Sequence, residues 1–396
     1  MSLGSVSVNN LDLGQGTPTS VECLDLFTGV VTGATEVDTV QPINMSTDLD
    51  DLLGIAPSNL KRQVEAAVVN GGQNWFGYIL PLSDDADLMD SVDDAVSQVS
   101  VESVVCCDPV TAKTELEDMH AKAEEMIGKY QRRTFFQAAF RQIDLGEETP
   151  ETWAEYITAA NDVTADVAAD RVMCAPLLYP DFLGTLAGRL ANKEVSVADS
   201  PMRTATGSLI GHYADRPVDT NGRALDKSIL LDLHDTGRFT VPTWYEDYDG
   251  TYTSDGYTLA PETSDYRIIE NLRVTDKAAR RIYLLAVARV ANRLLNSSPQ
   301  SIAYNTSYFM TPLREMGHST TINGIPFPGD IEPPKAGDIV IEWPTKYSVE
   351  IWFTLRPTNS PKEITANISL DLTNYAARAT KHTLSLIHIS EPTRPY

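Results

Sequence analysis

Cysteine is scarce in this sequence, and its pattern does not suggest a metal site. The four cysteines are Cys23, Cys106, Cys107 and Cys174, and each lies in an apolar stretch typical of a buried strand. Structural zinc sites need several cysteine or histidine ligands at short, regular spacings, which these residues lack. We therefore expect four reduced cysteines in the core, as in a protein from a reducing compartment.

The motifs of nucleotide-binding and hydrolytic enzymes are also absent. The chain has no P-loop, no GxGxxG after a strand, no HExxH and no GxSxG. His120, His212, His234 and His318 are scattered, and His234 followed by Asp235 either orients a base or forms a polar turn. Because no group of residues supports catalysis, we expect no enzymatic activity and no cofactor. An enzyme with an unrecognised site is the third of our hypotheses.

Two acidic clusters resemble calcium sites only superficially. The run SDDADLMDSVDD at 83–94 lacks the central glycine and the terminal glutamate of an EF-hand loop. Asp247, Asp249 and Asp255 lie near Gly250 and Gly256, where an exposed turn is the simpler interpretation. A solvated helix with aspartates at its start explains the first cluster better, so we expect no bound metal.

Long apolar runs and excess positive charge are missing too. No run of about 18 apolar residues suggests a membrane span, and the first residues lack the features of a secretory signal. The formal net charge is -24, which argues against nucleic acid as a partner and against direct binding to anionic membranes. Such a charge either keeps a protein soluble until it assembles or reflects a salt-rich source.

The order of apolar and amphipathic stretches indicates the fold class. Helical patterns at 85–98, 111–130 and 150–161 alternate with apolar runs at 103–108, 135–140 and 172–178. Runs that are apolar on both faces suit parallel strands covered by helices on both sides. We predict an α/β fold with a mixed sheet layered with helices, a hairpin in the Tyr-, Gly- and Asp-rich stretch 244–266, a C-terminal α+β domain and extended terminal β-arms.

Apolar residues alternate with polar ones near both termini. The alternating positions are Val6, Val8, Leu11, Leu13, Ile364, Ala366, Ile368, Leu370 and Leu372. A segment with this period forms a strand with one apolar face. Each segment either completes its own sheet or is donated to a neighbouring subunit.

The last thirteen residues, LSLIHISEPTRPY at 384–396, differ in character from the rest. They resemble an in-frame translation of a transposase-type sequencing adaptor. We interpret them as adaptor read-through and exclude them from the fold.

The stretch 265–295 is basic within an acidic chain. We predict a helix over Thr275–Leu295, capped by the Thr275 hydroxyl, with an apolar face. Its bases are Lys277, Arg280, Arg281, Arg289 and Arg293. Cations near a helix start oppose the helix dipole, so helix stability does not explain the first three. They meet an acidic surface, either on a partner or on their own subunit.

Four segments follow one another in a recognisable order along residues 40–373. They are PINMSTDLDDLLG with VVNGGQNWFGYILPL (42–54 and 68–82), LAGRLA with the later Ser200-Pro201 (186–201), DGYTLAPETSDYRIIENLRVTDKAARRIY (255–283) and PTNSPKEITANISLDL (357–372). Each motif is weak alone, and their order carries the signal. Together they resemble the tail sheath proteins of contractile phages and related injection systems, in a divergent branch of that family.

The resemblance implies an architecture and a set of partners. It implies stacked hexameric rings around a tail tube, terminal arms that add strands to neighbouring subunits, and contraction without nucleotide, in a virion tail assembled in the host cytoplasm. A helix of the C-terminal domain would contact the tube, with Lys277, Arg280, Arg281, Arg289 and Arg293 as candidates. The implied partners are further copies of the chain, the tail tube protein, and the baseplate and tail terminator proteins.

The expected domains follow from these patterns. They are an N-terminal arm (1–20), an α/β domain with a hairpin insertion (21–260), a C-terminal α+β domain (261–360) and a C-terminal β-arm (361–375). A tube or baseplate component, or an acidic α/β binding protein, is the second hypothesis.

Overall fold

A seven-stranded mixed sheet organises the chain. The computed structural model describes residues 21–146, 149–211, 213 and 215–369. The sheet order is β2-β3-β1-β4-β5-β6-β9. The strands are β1 (Asp25–Val30), β2 (Gln41–Asn44), β3 (Phe76–Leu82), β4 (Ser103–Val110), β5 (Phe135–Phe140), β6 (Ala169–Pro176) and β9 (Thr258–Leu259).

The five central strands are parallel, as their apolar sequences predict. Parallel pairs join β3 to β1, β1 to β4, β4 to β5 and β5 to β6, whereas β2 and β9 pair antiparallel at the two edges. All six residues of β5 are buried, because helices cover both faces of this strand. The predicted parallel layer within a mixed sheet is thus confirmed.

In the described part of the chain, six helices cover this sheet. They are α1 (Leu49–Leu53), α2 (Asn59–Asn70), α3 (Leu88–Gln98), α4 (Lys113–Tyr130), α5 (Trp153–Thr164) and α6 (Phe182–Leu190). Side chains of Asp48, Ser58, Asp87 and Thr152 accept hydrogen bonds from the first turns of α1, α2, α3 and α5, and these bonds satisfy free N–H groups. The predicted helices α3 to α5 form within a turn of their expected bounds.

Helices α2 and α6 pack closely because α6 carries two glycines. A Cβ at Gly184 would lie 2.0 Å from the Gln63 carbonyl oxygen, and one at Gly188 would lie 2.4 Å from that of Ala67. Only a residue without a side chain allows this approach of the two backbones. The LAGRLA segment is therefore the inner helix of the α/β domain.

An exposed hairpin projects from the carboxyl edge of the sheet. Short helix α7 (Lys227–Leu231) and a π-helical turn precede it, and its strands are β7 (Pro242–Tyr245) and β8 (Tyr248–Thr253). The Thr240 N–H donates to the Cys174 carbonyl near the end of β6, which fixes the base of the hairpin at that edge. The predicted hairpin is confirmed.

A second core follows the sheet. It is built from helices α8 (Ile269–Val287) and α9 (Pro299–Met316), the hairpin β10 (Thr320–Ile322) with β11 (Ile325–Phe327), and the hairpin β12 (Ile339–Thr345) with β13 (Ser348–Phe353). Val274, Phe309, Leu313 and Ile339 are among its buried centre. This helix-and-hairpin core is the predicted α+β part of the fold.

The C-terminal segment forms a separate unit. Among the described residues, those up to Ser360 belong to one compact unit and residues 361–369 belong to a second unit. Residues 361–369 have no strand conformation in the structure, so the predicted β-arm is not formed within this single chain as far as residue 369.

Candidate assembly surfaces

The basic stretch forms a helix whose bounds differ from the prediction. Helix α8 begins at Ile269 and ends at Val287, so Thr275 lies inside the helix and does not cap it. The Ile269 N–H instead donates to the Gly256 carbonyl, 2.9 Å away. Lys277 and the arginines after it therefore do not lie in the first turn, and our argument that they oppose the helix dipole was wrong.

Arg273, in the first half of α8, forms a buried ion pair with the α/β domain. Its Nε and Nη2 donate to the two carboxylate oxygens of Glu102, each at 2.8 Å, and both side chains are 3% exposed. Nη2 also donates to the Leu190 carbonyl at 2.9 Å. Burial alone would lower the pKa of Arg273, but the Glu102 carboxylate raises it above its ordinary value. The pair fixes the position of α8 on the sheet domain.

Asp276 is a second buried link between these two parts. Its carboxylate accepts from the two terminal nitrogens of Arg171 at 2.9 and 3.2 Å, and from Arg133 at 3.3 Å. Burial alone would lower the pKa of Arg171, but Asp276 raises it. Two arginines from the sheet domain thus neutralise one aspartate of α8.

The other bases of α8 also contact acids of the same chain. Lys277 Nζ lies 2.6 Å from Asp330 Oδ2, Arg280 Nη2 lies 3.0 Å from Glu22 Oε1, and Arg281 Nη1 lies 3.9 Å from Glu315 Oε2. The first two pairs are mostly buried, and the third is largely exposed. The sequence left open whether these bases meet acids of a partner or of their own subunit. All three contact an acid of their own subunit.

The end of α8 and the turn after it expose an apolar surface. The residues exposed there are Tyr283, Leu284, Val287, Val290 and Leu294. Arg293 is exposed in the same turn, while Arg289 donates to Asn305 at 3.0 Å and stacks on Tyr308 at 4.0 Å. We call Val287–Leu294 the α8–α9 turn. Its apolar side chains with arginines beside them are typical of a protein contact.

The predicted strand-exchange residues are described only in part. Ile364, Ala366 and Ile368 are exposed, and Ile368 is 97% accessible. Val6, Val8, Leu11, Leu13, Leu370 and Leu372 lie outside the described residues. An alternating segment with its apolar side chains in solvent is suited to pair elsewhere.

Hairpin β12–β13 is a sheet of two strands only. Its inner positions Ile339 and Ile341 are buried in the second core, whereas Val340 and Trp352 are 42% and 60% exposed. Within the part of the chain that the structure describes, its outer edges pair with no other strand. Such edges accept an added strand readily.

Among the described residues, those considered for catalysis or metal binding do not come together in one site. The four cysteines are buried, as predicted, and burial raises the pKa of the Cys23 thiol to about 12. Asp255 accepts from the buried Ser200 hydroxyl, while Asp247 and Asp249 lie at the exposed hairpin turn. Among the described residues, no group of three possible ligands could hold a metal ion. Of the helices in that same part of the chain, none has the length and apolarity needed to cross a bilayer.

Sequence reasoning missed the acidic partners of α8. Glu102 is 171 residues from Arg273, and Glu22 is 258 residues from Arg280. Neither acid stands in a pattern that marks it, because ion pairs between distant segments depend on the fold. A basic helix in an acidic chain was the one available signal.

Family models cover most of the chain. Residues 3–257 match the DUF2586 N-terminal domain, and residues 265–373 match the DUF2586 C-terminal domain. A relative from Haemophilus phage HP1 (strain HP1c1), named "Putative tail sheath protein", is 41% identical over 371 residues, which is 93% of this chain and 98% of the relative.

Solved structures share the fold at low sequence identity. A chain of the anti-feeding prophage baseplate, 6-fold symmetrised, is 15% identical with a TM-score of 0.57, covering 94% of this chain and all of that one. The sheath tail protein of Listeria innocua is 8% identical with a TM-score of 0.56, covering 87% of this chain and 94% of its own. That of Desulfitobacterium hafniense is 9% identical with a TM-score of 0.54, covering 90% and 97%. The chain therefore belongs to the DUF2586 family and to the phage tail sheath proteins.

Proposed function

We propose that the chain polymerises as stacked hexameric rings around a tail tube and contracts to drive the tube through the host envelope. Family membership supports the sheath role, and the similar baseplate chain belongs to a 6-fold symmetrised structure. Its partners are further copies of itself, the tail tube protein, and the baseplate and terminator proteins. Assembly takes place in the host cytoplasm, and the product is part of the virion.

The exposure of the C-terminal segment is the main observation that supports polymerisation. Ile364 is 83% exposed and Ile368 is 97% exposed. Burying such side chains stabilises an assembly by about 1.5–3 kcal/mol each. A sheet edge of another copy, such as that of β12–β13, offers both backbone hydrogen bonds and an apolar face. The segment thus joins copies by strand addition, with the N-terminal positions Val6, Val8, Leu11 and Leu13 in the same role.

Electron microscopy of the purified chain tests this proposal. Wild-type protein should form ring stacks or hollow tubes, and deletion of Ile364–Leu372 should abolish them while the circular dichroism spectrum and melting temperature stay unchanged. The paired substitutions Ile364→Asp and Ile368→Asp should act like the deletion. Thr365→Ala with Asn367→Ala, on the opposite face of the strand, is the matched control. Tubes formed by the deletion variant would refute strand donation.

We further propose that the α8–α9 turn contacts the tail tube. Of the five bases predicted for this contact, Lys277, Arg280 and Arg281 already contact acids of their own chain. Arg293 is exposed beside Val290 and Leu294, and Arg289 flanks them. We therefore assign the tube contact to Arg289 and Arg293 together with these apolar side chains.

Charge reversal separates the contact with the tube from contacts within the subunit. Arg293→Glu should weaken co-sedimentation with tail tube protein more at low salt than at high salt, without changing the melting temperature. Arg280→Glu should lower the melting temperature, because it leaves the mostly buried Glu22 beside a like charge. Undiminished tube binding by the Arg293 variant would refute this placement.

A baseplate location is the second candidate, because one similar chain comes from a baseplate structure. Immunogold labelling of the particle distinguishes the two. Labels along the tail length support the sheath, and labels confined to its end support the baseplate.

A further inference from the structure

A cleft lined by arginines lies at the amino edge of the sheet. It has a volume of about 390 Å³ and is bounded by the segments that lead into β1, β4 and β5 and by α8. Four arginines line it, while Glu22 is the one acid among the described residues of its wall. The arginines are Arg132, Arg133, Arg280 and Arg281. We call this site the arginine cleft.

The arginine cleft also has an apolar side. Tyr283 and Leu284 of α8 line it and are 43% and 44% exposed. Within the described part of the chain, Arg281 next to them makes one ion pair, a contact of 3.9 Å with Glu315. Arginine beside exposed aromatic and aliphatic side chains is the composition found where interfaces bind most tightly.

The tip of hairpin β7–β8 has the complementary composition. Glu246 and Asp247 are exposed between Tyr245 and Tyr248, and the exposed Asp249 follows them. Glu246 also lies 3.3 Å from Lys227 and remains largely exposed. The rings of Tyr245 and Tyr248 make an edge-on contact with centroids 6.4 Å apart, so the tip presents a preformed aromatic surface. Tyrosine faces attract guanidinium groups, and the three carboxylates add charge attraction.

The two sites lie at opposite edges of one sheet. The cleft is built from residues that precede β1, β4 and β5, which are parallel strands. The hairpin begins after Thr240, which is bonded to Cys174 near the carboxyl end of β6. Two complementary sites at opposite ends of a subunit generate head-to-tail contacts, which close into rings or continue as helical stacks.

We propose that the β7–β8 hairpin of one copy docks into the arginine cleft of the next copy. Tyr245 and Tyr248 contact the wall at Tyr283 and Leu284, and Glu246 and Asp249 face Arg132 and Arg281. This inference rests on the proposed function for the setting in which copies meet, and it adds a contact separate from strand exchange.

Two other occupants of the cleft were considered. The chain's own residues 1–20 precede Val21, which lines the cleft, but their sequence has one acid, Asp12, and no aromatic residue. Helix α3 of another copy has acids around its start but no aromatic residue to stack on arginine. Of these three candidates, the β7–β8 hairpin combines both chemistries, so it is the occupant that the cleft composition favours.

A charge-swap experiment tests the contact. Glu246→Lys with Asp249→Lys reverses the hairpin, and Arg281→Glu reverses the cleft. Each variant alone should associate roughly a hundredfold more weakly in sedimentation velocity, because like charges then meet. An equal mixture of the two variants should recover association close to that of wild type. When the two variants alternate along an assembly, each hairpin meets a cleft of opposite charge. The single chain carrying all three substitutions should recover as well.

Matched controls identify the alternative occupants. Asp84→Lys with Asp85→Lys makes the same charge change before α3 and should leave association unchanged. If mixing that variant with the Arg281→Glu variant instead restores association, the acidic start of α3 occupies the cleft and the proposal is overturned. Removal of residues 1–20 should not relieve the effect of Arg281→Glu. If it restores association, the N-terminal segment is the occupant and the proposal is likewise overturned.

Disulfide trapping tests the contact independently of tube formation. All four native cysteines are buried, so Tyr248→Cys on one chain and Tyr283→Cys on another introduce exposed thiols. Mixed chains should form the 248–283 crosslink, and neither variant alone should form dimers at a comparable rate. If wild-type tubes form but neither charge reversal nor trapping has an effect, the hairpin contact is wrong and the sheath function stands. If no tubes form yet trapping succeeds, the failure lies with the proposed function.

Discussion

Arg273→Met is the substitution that tests most sharply how α8 is attached to the sheet domain. Arg273 and Glu102 are each 3% exposed and share two hydrogen bonds of 2.8 Å. Removing one partner leaves a buried charge without compensation, which destabilises a protein by about 3–5 kcal/mol. Methionine keeps most of the apolar contacts of the arginine stem, so the loss reports the charge and hydrogen bonds.

Urea denaturation of the unassembled chain measures this loss, with two comparisons. Arg281→Met removes an exposed contact of 3.9 Å on the same helix and should change the free energy of unfolding by about 1 kcal/mol or less. Adding Glu102→Gln to Arg273→Met should recover much of the loss, since the buried charge is then gone. A loss of less than about 1 kcal/mol for Arg273→Met would refute the assigned role of this pair.

Three further substitutions test packing and a buried acid. Gly184→Ala should destabilise by at least about 1–3 kcal/mol in thermal denaturation, because its Cβ would lie 2.0 Å from the Gln63 carbonyl oxygen; a neutral result would contradict the close approach of α2 and α6. Gly128→Ala in α4, where nothing lies within 4 Å of the new Cβ, should stabilise by about 0.5–1 kcal/mol. Burial raises the pKa of Asp25 from 3.8 to about 7, so wild type loses stability as pH rises from about 4 to about 7. The stability advantage of Asp25→Asn should grow over that range and then level off; an advantage independent of pH would disprove the shift.

Local patterns predicted the layers of the fold well. Strand β5 could be predicted because FFQAAF is apolar on both faces. Helix α5 begins with a capping box in which Thr152 is the N-cap and Glu155 is the third helical residue. Both signals lie within a few residues of the element that they specify. The parallel order of the central strands follows, since helices connect them.

The start of α8 could not be predicted because its stabilising contacts are distant in sequence. Its first N–H groups include that of Ile269, which is satisfied by the Gly256 carbonyl, so no capping side chain is needed. Thr275 offered a local cap signal and misled the prediction. Ile269 and Leu272 are buried in the first turn, and this burial stabilises the longer helix more than one cap would.

Some of the assembly surfaces could be predicted from local sequence patterns, whereas others exist only once the chain is folded. Alternation in 364–372 marked a strand that needs a partner, because that pattern is local. The arginine cleft joins residues near 22, 100, 131 and 281, and no local pattern unites them. The acids that pair with Arg273 and Arg280 belong to the same class, since only the fold places them together.

Cryo-electron microscopy of the assembled wild-type particle tests the central claim most directly. The account predicts a hollow stack of six-membered rings around a tube, in which residues 364–372 of one copy lie as an added strand on a sheet of its neighbour. Chains that stay monomeric at high concentration, or particles in which that segment contacts no other copy, would contradict it.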